Sequence, residues 1–351
     1  MISVLTERRG QNPYLDLVAV DADPDISVRT LKAQSLLRPA DIVHIHWPEN
    51  LFSAKSLRSC IRTRLLWAAL DLTINRTHWR GGALVWTAHN TKRHEPPAPA
   101  LAAFARDRLQ NFYSRVDLAI AMSAAQLPTL QQLFPQIPPA RWRVVPHPHY
   151  RDIYATPRPR TEVRAALGLD DSVLLVTMLG RIRPYKGIVE AIRVFRAACR
   201  TDEHLLIAGV CPDPTLAAEI AASAAGADNI SLRIGHLSDA DYAAWQHAAD
   251  LALFNFSHNL NSGSVLAALS LDRPVLAPHN VTLAEMAGRN PDWVQLFEPP
   301  LRPDILRAKL DALRTQRPSG APDLSVHAPD AIRRRHREIY REALQLAKQR
   351  R

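Results

Sequence analysis

The sequence predicts an α/β protein made of two Rossmann-like domains, each a parallel sheet with helices on both faces. Three observations predict it. Short apolar runs alternate with helix-length segments through most of the 351 residues, as expected for parallel strands joined by crossover helices. The alternation breaks once, in a Pro-rich polar passage, and then restarts. The composition, 47% hydrophobic and 22% charged, argues against disorder and supplies apolar surface for large cores. The length suits two domains.

Ile2–Leu5 reads as the first strand. Asp41-Ile-Val-His-Ile-His46 is the next, running into the polar loop Trp47-Pro-Glu-Asn50. Ala83-Leu-Val-Trp-Thr-Ala88 is a third, ending at His89-Asn90, and Val116–Ala121 and Arg143–Val145 are two more. Helix-length patterns cover Ser56–Thr73 and Ala98–Ser114. Pro146-His-Pro-His-Tyr-Arg-Asp152 and Thr156-Pro-Arg-Pro-Arg160 then read as an interdomain linker. Beyond it come a strand at Ser172–Leu179, a helix at Gly187–Cys199, and strands at Leu205–Ala208, Ile230–Ile234, Leu251–Phe254 and Pro274–Ala277. An arginine-rich helix, Asp330–Lys348, closes the chain. The expected division is 1–150, 151–329 and a closing helix 330–351. Such sheets bind ligands beyond the carboxyl ends of their strands, so the strand-end loops are the candidate sites.

The formal charge is +10, from 44 Lys plus Arg against 34 Asp plus Glu, and arginine supplies nearly all of it. Arginine suits phosphate, which leaves nucleic acid, an anionic membrane or a phosphorylated small molecule as partners. Arginine richness also follows from gene composition alone. Aromatic residues make up only 6%, without the stacking pattern of a nucleic-acid surface, so no nucleic-acid partner is expected. Three cysteines without a CxxC pair predict neither disulfides nor structural zinc and suggest a reducing compartment. The N-terminal apolar run is too short for a signal peptide, and no stretch is long enough to span a bilayer.

Two strand-end loops seek anions. After Leu179, Gly180-Arg181-Ile-Arg-Pro-Tyr185-Lys186-Gly187 carries two cations, Arg181 and Lys186, between glycines that allow close backbone approach. The second, Asn259-Leu-Asn261-Ser262-Gly263-Ser264, opens a helix whose free N–H groups and dipole favour an anion. Together they point to a nucleotide diphosphate.

These motifs resemble the donor-binding half of GT-B glycosyltransferases. The resemblance spans nearly the whole chain and sharpens with His44-Ile-His-Trp-Pro-Glu49, Thr87-Ala-His-Asn90 with His94-Glu95, and His149-Tyr-Arg-Asp152. It continues through Ile182-Arg-Pro-Tyr-Lys-Gly187, Asn261-Ser-Gly263 and Ala268-Leu-Ser-Leu-x-Arg-Pro-Val-Leu-Ala-Pro278. Together they are similar to the lipid-linked β-mannosyltransferases of xanthan-type exopolysaccharide synthesis. The resemblance implies two domains facing a central cleft, with the closing helix crossing back to the first domain. It also implies GDP-mannose as donor, a polyprenyl-diphosphate-linked oligosaccharide as acceptor, and inversion without a bound metal or other cofactor. One departure stands out. Retaining GT-B enzymes usually carry Glu-x7-Glu in the second loop; Asn259 and Ala267 occupy those places here, which removes the usual ribose contact.

An inverting transfer needs a base for the acceptor hydroxyl and support for the departing diphosphate. Arg181, Lys186 and the Ser262–Ser264 turn meet the second need. The base is expected from the N-terminal domain, with Glu49 and Glu95 as candidates. His89 is assigned to donor positioning or leaving-group support, with base as its second role. His46, Trp47 and Asn90 are candidate acceptor contacts, and Tyr185 a donor contact. His44, His46, His89 and His94 lack the tight spacing of a metal motif. Lys55, Arg58, Arg62, Arg64, Arg76 and Arg80, interleaved with Leu57, Ile61, Leu65, Leu66, Trp67 and Leu70, suggest a basic amphipathic helix with tryptophan at an anionic membrane surface. The expectation is a peripheral enzyme on the cytoplasmic face of the plasma membrane. A retaining transferase using UDP-glucose or similar, and a non-catalytic nucleotide-sugar binder, are the alternatives.

Overall fold

The computed structural model describes every residue except 8–12, 21–22, 33–34, 36–37, 53–56, 91–96, 155, 258–262 and 351. The chain divides into two units: Met1–Pro148 with Ser325–Arg351, and His149–Leu324.

The first unit holds one six-stranded sheet. Its strands are β1 (Ile2–Thr6), β2 (Ile26–Thr30), β3 (Ile42–Ile45), β4 (Ala83–Thr87), β5 (Leu118–Ala121) and β6 (Trp142–Val144), ordered β2-β1-β3-β4-β5-β6. All pairs are parallel. Its helices are α1 (Pro13–Leu17), α2 (Leu57–Trp79), α3 (Ala102–Ser114), α4 (Leu127–Leu133) and, from the far end of the chain, the closing helix Pro329–Gln349. Ile332, Ile339, Tyr340 and Ala343 of that closing helix pack with Val4, Ile42, Val85 and Ile120 of the sheet. Arg143 pairs with Glu342, and Arg350 reaches Asp117 at 2.6 Å.

The second unit repeats the plan with β7 (Leu174–Leu179), β8 (Glu203–Gly209), β9 (Ile230–Ile234), β10 (Leu251–Leu253), β11 (Val275–Pro278) and β12 (Val294–Phe297), in the order β12-β11-β10-β7-β8-β9. Again all pairs are parallel. The helices are α5 (Arg160–Ala166), α6 (Ile188–Ala198), α7 (Pro214–Ala224), α8 (Asp239–Ala248), α9 (Gly263–Ser270), α10 (Val281–Arg289) and α11 (Pro303–Thr315), leaving the closing helix as α12. Val176, Ile207 and Leu253 face Ile192, Phe195 and Leu310; the alternate residues Leu175, Leu206 and Ala208 face Ala244 and Ala248. Both faces at the centre of the sheet are therefore dry, which is why β7, β8 and β10 read as apolar runs.

Several expectations need correction. β2 and β12 were not expected as strands; both lie at sheet edges, with mixed and partly exposed sequences. The linker ends earlier than expected, because Arg160 opens α5 and its guanidinium holds Asp250 Oδ1 at 2.7 Å. Helix α2 runs past Thr73 to Trp79. Trp67 and Leu70 point inward, 0% and 1% exposed, so neither reaches a membrane surface. Trp67 stacks on Phe52 at 4.8 Å.

Candidate active site

In the first unit the carboxyl ends of β1, β3 and β4 gather titratable side chains. β3 places His44 and His46 on one face, two residues apart, with ring centroids 4.1 Å apart. His44 Nε2 is hydrogen-bonded with Thr87 Oγ1 and His44 Nδ1 with Tyr340 of α12, both at 2.8 Å. His46 Nδ1 and His89 Nε2 are 3.1 Å apart. Tyr14 meets His89 edge-on at 4.7 Å and His147 at 4.9 Å, and Trp47 lies 4.2 Å from His89. Burial first, then neighbouring imidazoles, holds His44, His46 and His89 well below the usual histidine range. His147 and His336 are pushed down to about 4, again by burial. At least one neutral ring is what the His46–His89 contact needs, since one of the two facing nitrogens must accept.

Glu49 sits on the 3₁₀ turn Pro48–Phe52, buried, and its Oε1 accepts from Asn90 Nδ2 at 3.2 Å. The Trp47-Pro-Glu49 turn and the Ala-His89-Asn90 segment are thus joined by one hydrogen bond and one ring contact. Glu95 and His94 lie outside the described residues, as do Asn259, Asn261 and Ser262. Among the described residues no three His, Cys, Asp or Glu side chains converge as a metal site would require.

Glu7 is a participant that the sequence reading passed over. Its Oε1 accepts from the backbone N–H of His46 at 2.7 Å and of Trp47 at 3.0 Å. Burial pushes it up to about 7, against the pull of those N–H groups. Glu7 immediately follows β1, so a search of every strand end would have included it.

The second unit carries the anion-seeking loop. Gly180 ends β7 at φ +99°, and its N–H donates to Ala208 O at 2.9 Å. The chain then turns through Pro184–Lys186 into Gly187, which caps α6 at φ +58°. The Lys186 amine folds back over the strand end: its Nζ lies 3.6 Å from where a Cβ on Gly180 would stand. Burial, and then the nearby Arg183 guanidinium, pushes Lys186 down to about 8. Arg183 is therefore the cation whose field Lys186 feels; Arg181 is exposed.

The two loops are stitched together. Asn255 Nδ2 donates to Gly187 O at 2.9 Å, and Ser257 N–H to Tyr185 O at 2.8 Å. Gly263 and Ser264 begin α9. The far end of α9 is held by the His149–Asp152 segment, where Tyr150 N–H donates to Ser270 Oγ at 2.9 Å and Arg151 binds Asp272 at 2.7 Å. These two contacts tie the motif to the C-terminal end of α9. Gly187 has no room for a side chain. A Cβ there would stand 2.6 Å from Asn255 O and 2.7 Å from its Nδ2, at a left-handed φ. Gly187→Ala is expected to destabilise the protein by about 2–3 kcal/mol, read as a lower urea midpoint at unchanged slope. An unchanged midpoint would overturn this packing account.

No family model matches the chain. Over 340 residues it is 31% identical to a GDP-mannose:glycolipid 4-beta-D-mannosyltransferase of Xanthomonas campestris pv. campestris, covering 95% of this chain and 89% of that one. A second X. campestris protein of the same description is 30% identical over the same span. Among solved structures, Anabaena HepE in complex with UDP superposes with TM-score 0.62 at 14% identity, covering 99% of this chain and 98% of that one. A Rickettsia africae glycosyltransferase gives 0.61 at 13%, with 99% and 98% covered. WaaG, a glycosyltransferase involved in lipopolysaccharide biosynthesis, gives 0.60 at 14%, with 99% of each chain covered. The fold is that of GT-B glycosyltransferases.

Proposed function

The chain belongs to the family of GDP-mannose:glycolipid 4-β-D-mannosyltransferases, and from that premise we propose that it moves mannose from GDP-mannose to a polyprenyl-diphosphate-linked oligosaccharide, with inversion, during exopolysaccharide synthesis at the cytoplasmic face of the membrane. In this reading the second unit holds the donor. The Lys186 ammonium and the N–H groups at the starts of α6 and α9 take the diphosphate, with Arg181 and Arg183 adding positive field. Support of this kind needs no metal. The first unit supplies the base. The acceptor hydroxyl attacks the anomeric carbon as the bond to the diphosphate breaks and its electrons leave with GDP. Glu49 takes the proton. A single displacement on the α-linked donor gives a β-linked product.

Kinship over 95% of the chain is the observation that supports the donor most. Inversion is supported by Ala267, buried in α9, at the place where retaining relatives of the fold carry their ribose-binding glutamate. The test is direct. The protein is incubated with GDP-mannose and a synthetic polyprenyl-diphosphate glycan, and the product is examined by NMR. GDP release and a β-mannosyl product are expected. Stabilisation by UDP-sugars without stabilisation by GDP or GDP-mannose would overturn the donor, and an α-linked product would overturn inversion.

A further inference from the structure

Helix α2 turns one apolar stripe to the core and another to solvent. Thr63, Trp67, Leu70, Thr73, Ile74 and Thr77 are buried. The second stripe is Ile61, Leu65, Leu72 and Trp79, 53%, 66%, 49% and 81% exposed. These are four of the nine large exposed apolar side chains among the described residues, so exposure is concentrated on this one element. Their spacing of four, seven and seven keeps them on one side of a helix. At about 1.5 Å per residue the stripe is about 27 Å long. Trp67, fixed between Phe52 and Phe112, prevents the helix from rolling to bury it.

The border of the stripe is basic. Arg58, Arg62, Arg64, Arg76 and Arg80 are all exposed. Among the described residues none has a carboxylate partner; Arg64 instead lies over the Phe104 ring at 4.8 Å. Asp71, the one acid in the helix, is bound by Arg108 and Arg115. In the arginine run of α12, three of the four arginines are tied down. Arg333 is hydrogen-bonded to Leu17 O, Arg335 to Glu338, and Arg337 pairs with Asp23. Uncompensated charge and exposed apolar surface therefore coincide on α2.

We infer that the outward face of α2 lies flat on an anionic lipid bilayer, with Ile61, Leu65, Leu72 and Trp79 entering the headgroup boundary and the flanking arginines binding lipid phosphates. A long, straight, apolar stripe with cations along its flanks matches an interfacial plane. No described helix is long and apolar enough to cross a membrane, so this surface works by lying on the bilayer. The inference rests on the proposed glycolipid acceptor, and it names which side chains meet the lipid.

Sedimentation with vesicles of phosphatidylglycerol and phosphatidylcholine in equal parts tests it. The wild-type protein is expected to bind these at low salt and to bind pure phosphatidylcholine vesicles at least about tenfold more weakly. The Leu65→Glu/Leu72→Glu variant and the Arg58→Ser/Arg62→Ser/Arg76→Ser/Arg80→Ser variant should each lose about tenfold or more in vesicle binding. Both alter exposed positions only, so their thermal unfolding and their transfer to a water-soluble acceptor analogue should match wild type. Variants that bind vesicles as well as wild type would overturn the assignment of this face while leaving the lipid acceptor intact. A wild-type protein that ignores anionic vesicles yet forms dimers, with Leu65→Glu/Leu72→Glu abolishing them, would place a second copy on the stripe instead. Loss of transfer to the soluble analogue in wild type as well would point to failure of the glycosyltransferase reading itself.

Discussion

Replacing Lys186 by methionine is expected to lower sugar transfer by about 10²–10³-fold, the usual consequence of removing one preorganised group from a developing charge, without lowering stability. The two halves of this prediction come from the same geometry. The Lys186 amine lies over Gly180 at the end of β7, partly desolvated and close to Arg183. An isolated protein gains nothing from a cation there. Its folded value of about 8 lies below the ordinary value of 10.5, so between these pH values the unfolded chain binds more protons and stability rises with pH. At neutral pH the charged amine therefore opposes folding. Methionine fills similar space without charge, so the unfolding temperature should hold or rise. Activity should show the opposite sign. Only the ammonium form serves the diphosphate, so kcat/KM should fall as pH rises through about 8. The limb in kcat should sit higher, because a bound diphosphate holds the proton on the lysine. Wild-type-like activity in Lys186→Met would remove this loop from the donor site.

What was legible in the sequence follows burial. β3, β4 and β7 are covered on both faces, and their apolar runs are unmistakable. β2 and β12, at the edges, have solvent-facing residues that blur the pattern. Helix α2 shows a subtler limit. Its sequence carries two apolar stripes, Trp67-Leu70-Ile74 and Ile61-Leu65-Leu72-Trp79, and periodicity alone does not say which faces the sheet. Packing against Phe52 and Phe112 decides it. Charge shows the same limit. Asp250 gathers Arg160, Arg164 and Arg317, and buried Glu203 gathers Arg307 and Arg314, so much of the arginine excess holds the fold together. The candidate site was legible where motif and strand end coincided, as at Glu49, His89 and Lys186. Glu7 and Asn255 act through contacts with residues the sequence places elsewhere, and only the folded chain joins them.

Glu49→Gln is expected to lower kcat by about 10²–10⁴-fold, the range of a lost general base, with little change in the KM for the donor. Glutamine keeps the shape, and its carbonyl oxygen can still accept from Asn90 Nδ2, as Glu49 Oε1 does. The turn should stay in place while the proton acceptor is gone. His89 is the rival for this role, and its surroundings argue against it. A base must welcome the proton it takes, yet burial and the imidazoles of His147, His44 and His336 oppose a charge on His89. Its Nε2 is also engaged with His46. The ring is better suited to holding Trp47 and the His46 face in place, 4.2 Å and 5.3 Å away. His89→Asn should therefore cost about tenfold, expressed more in KM than in kcat. Single-turnover measurement of both variants separates the roles. A kcat that collapses in His89→Asn while Glu49→Gln retains a third or more of wild-type turnover would transfer the base to the histidine. The predicted order places the chemistry on a carboxylate that the 3₁₀ turn buries beside an amide donor, and leaves the imidazole cluster as the neutral scaffold that fixes its position.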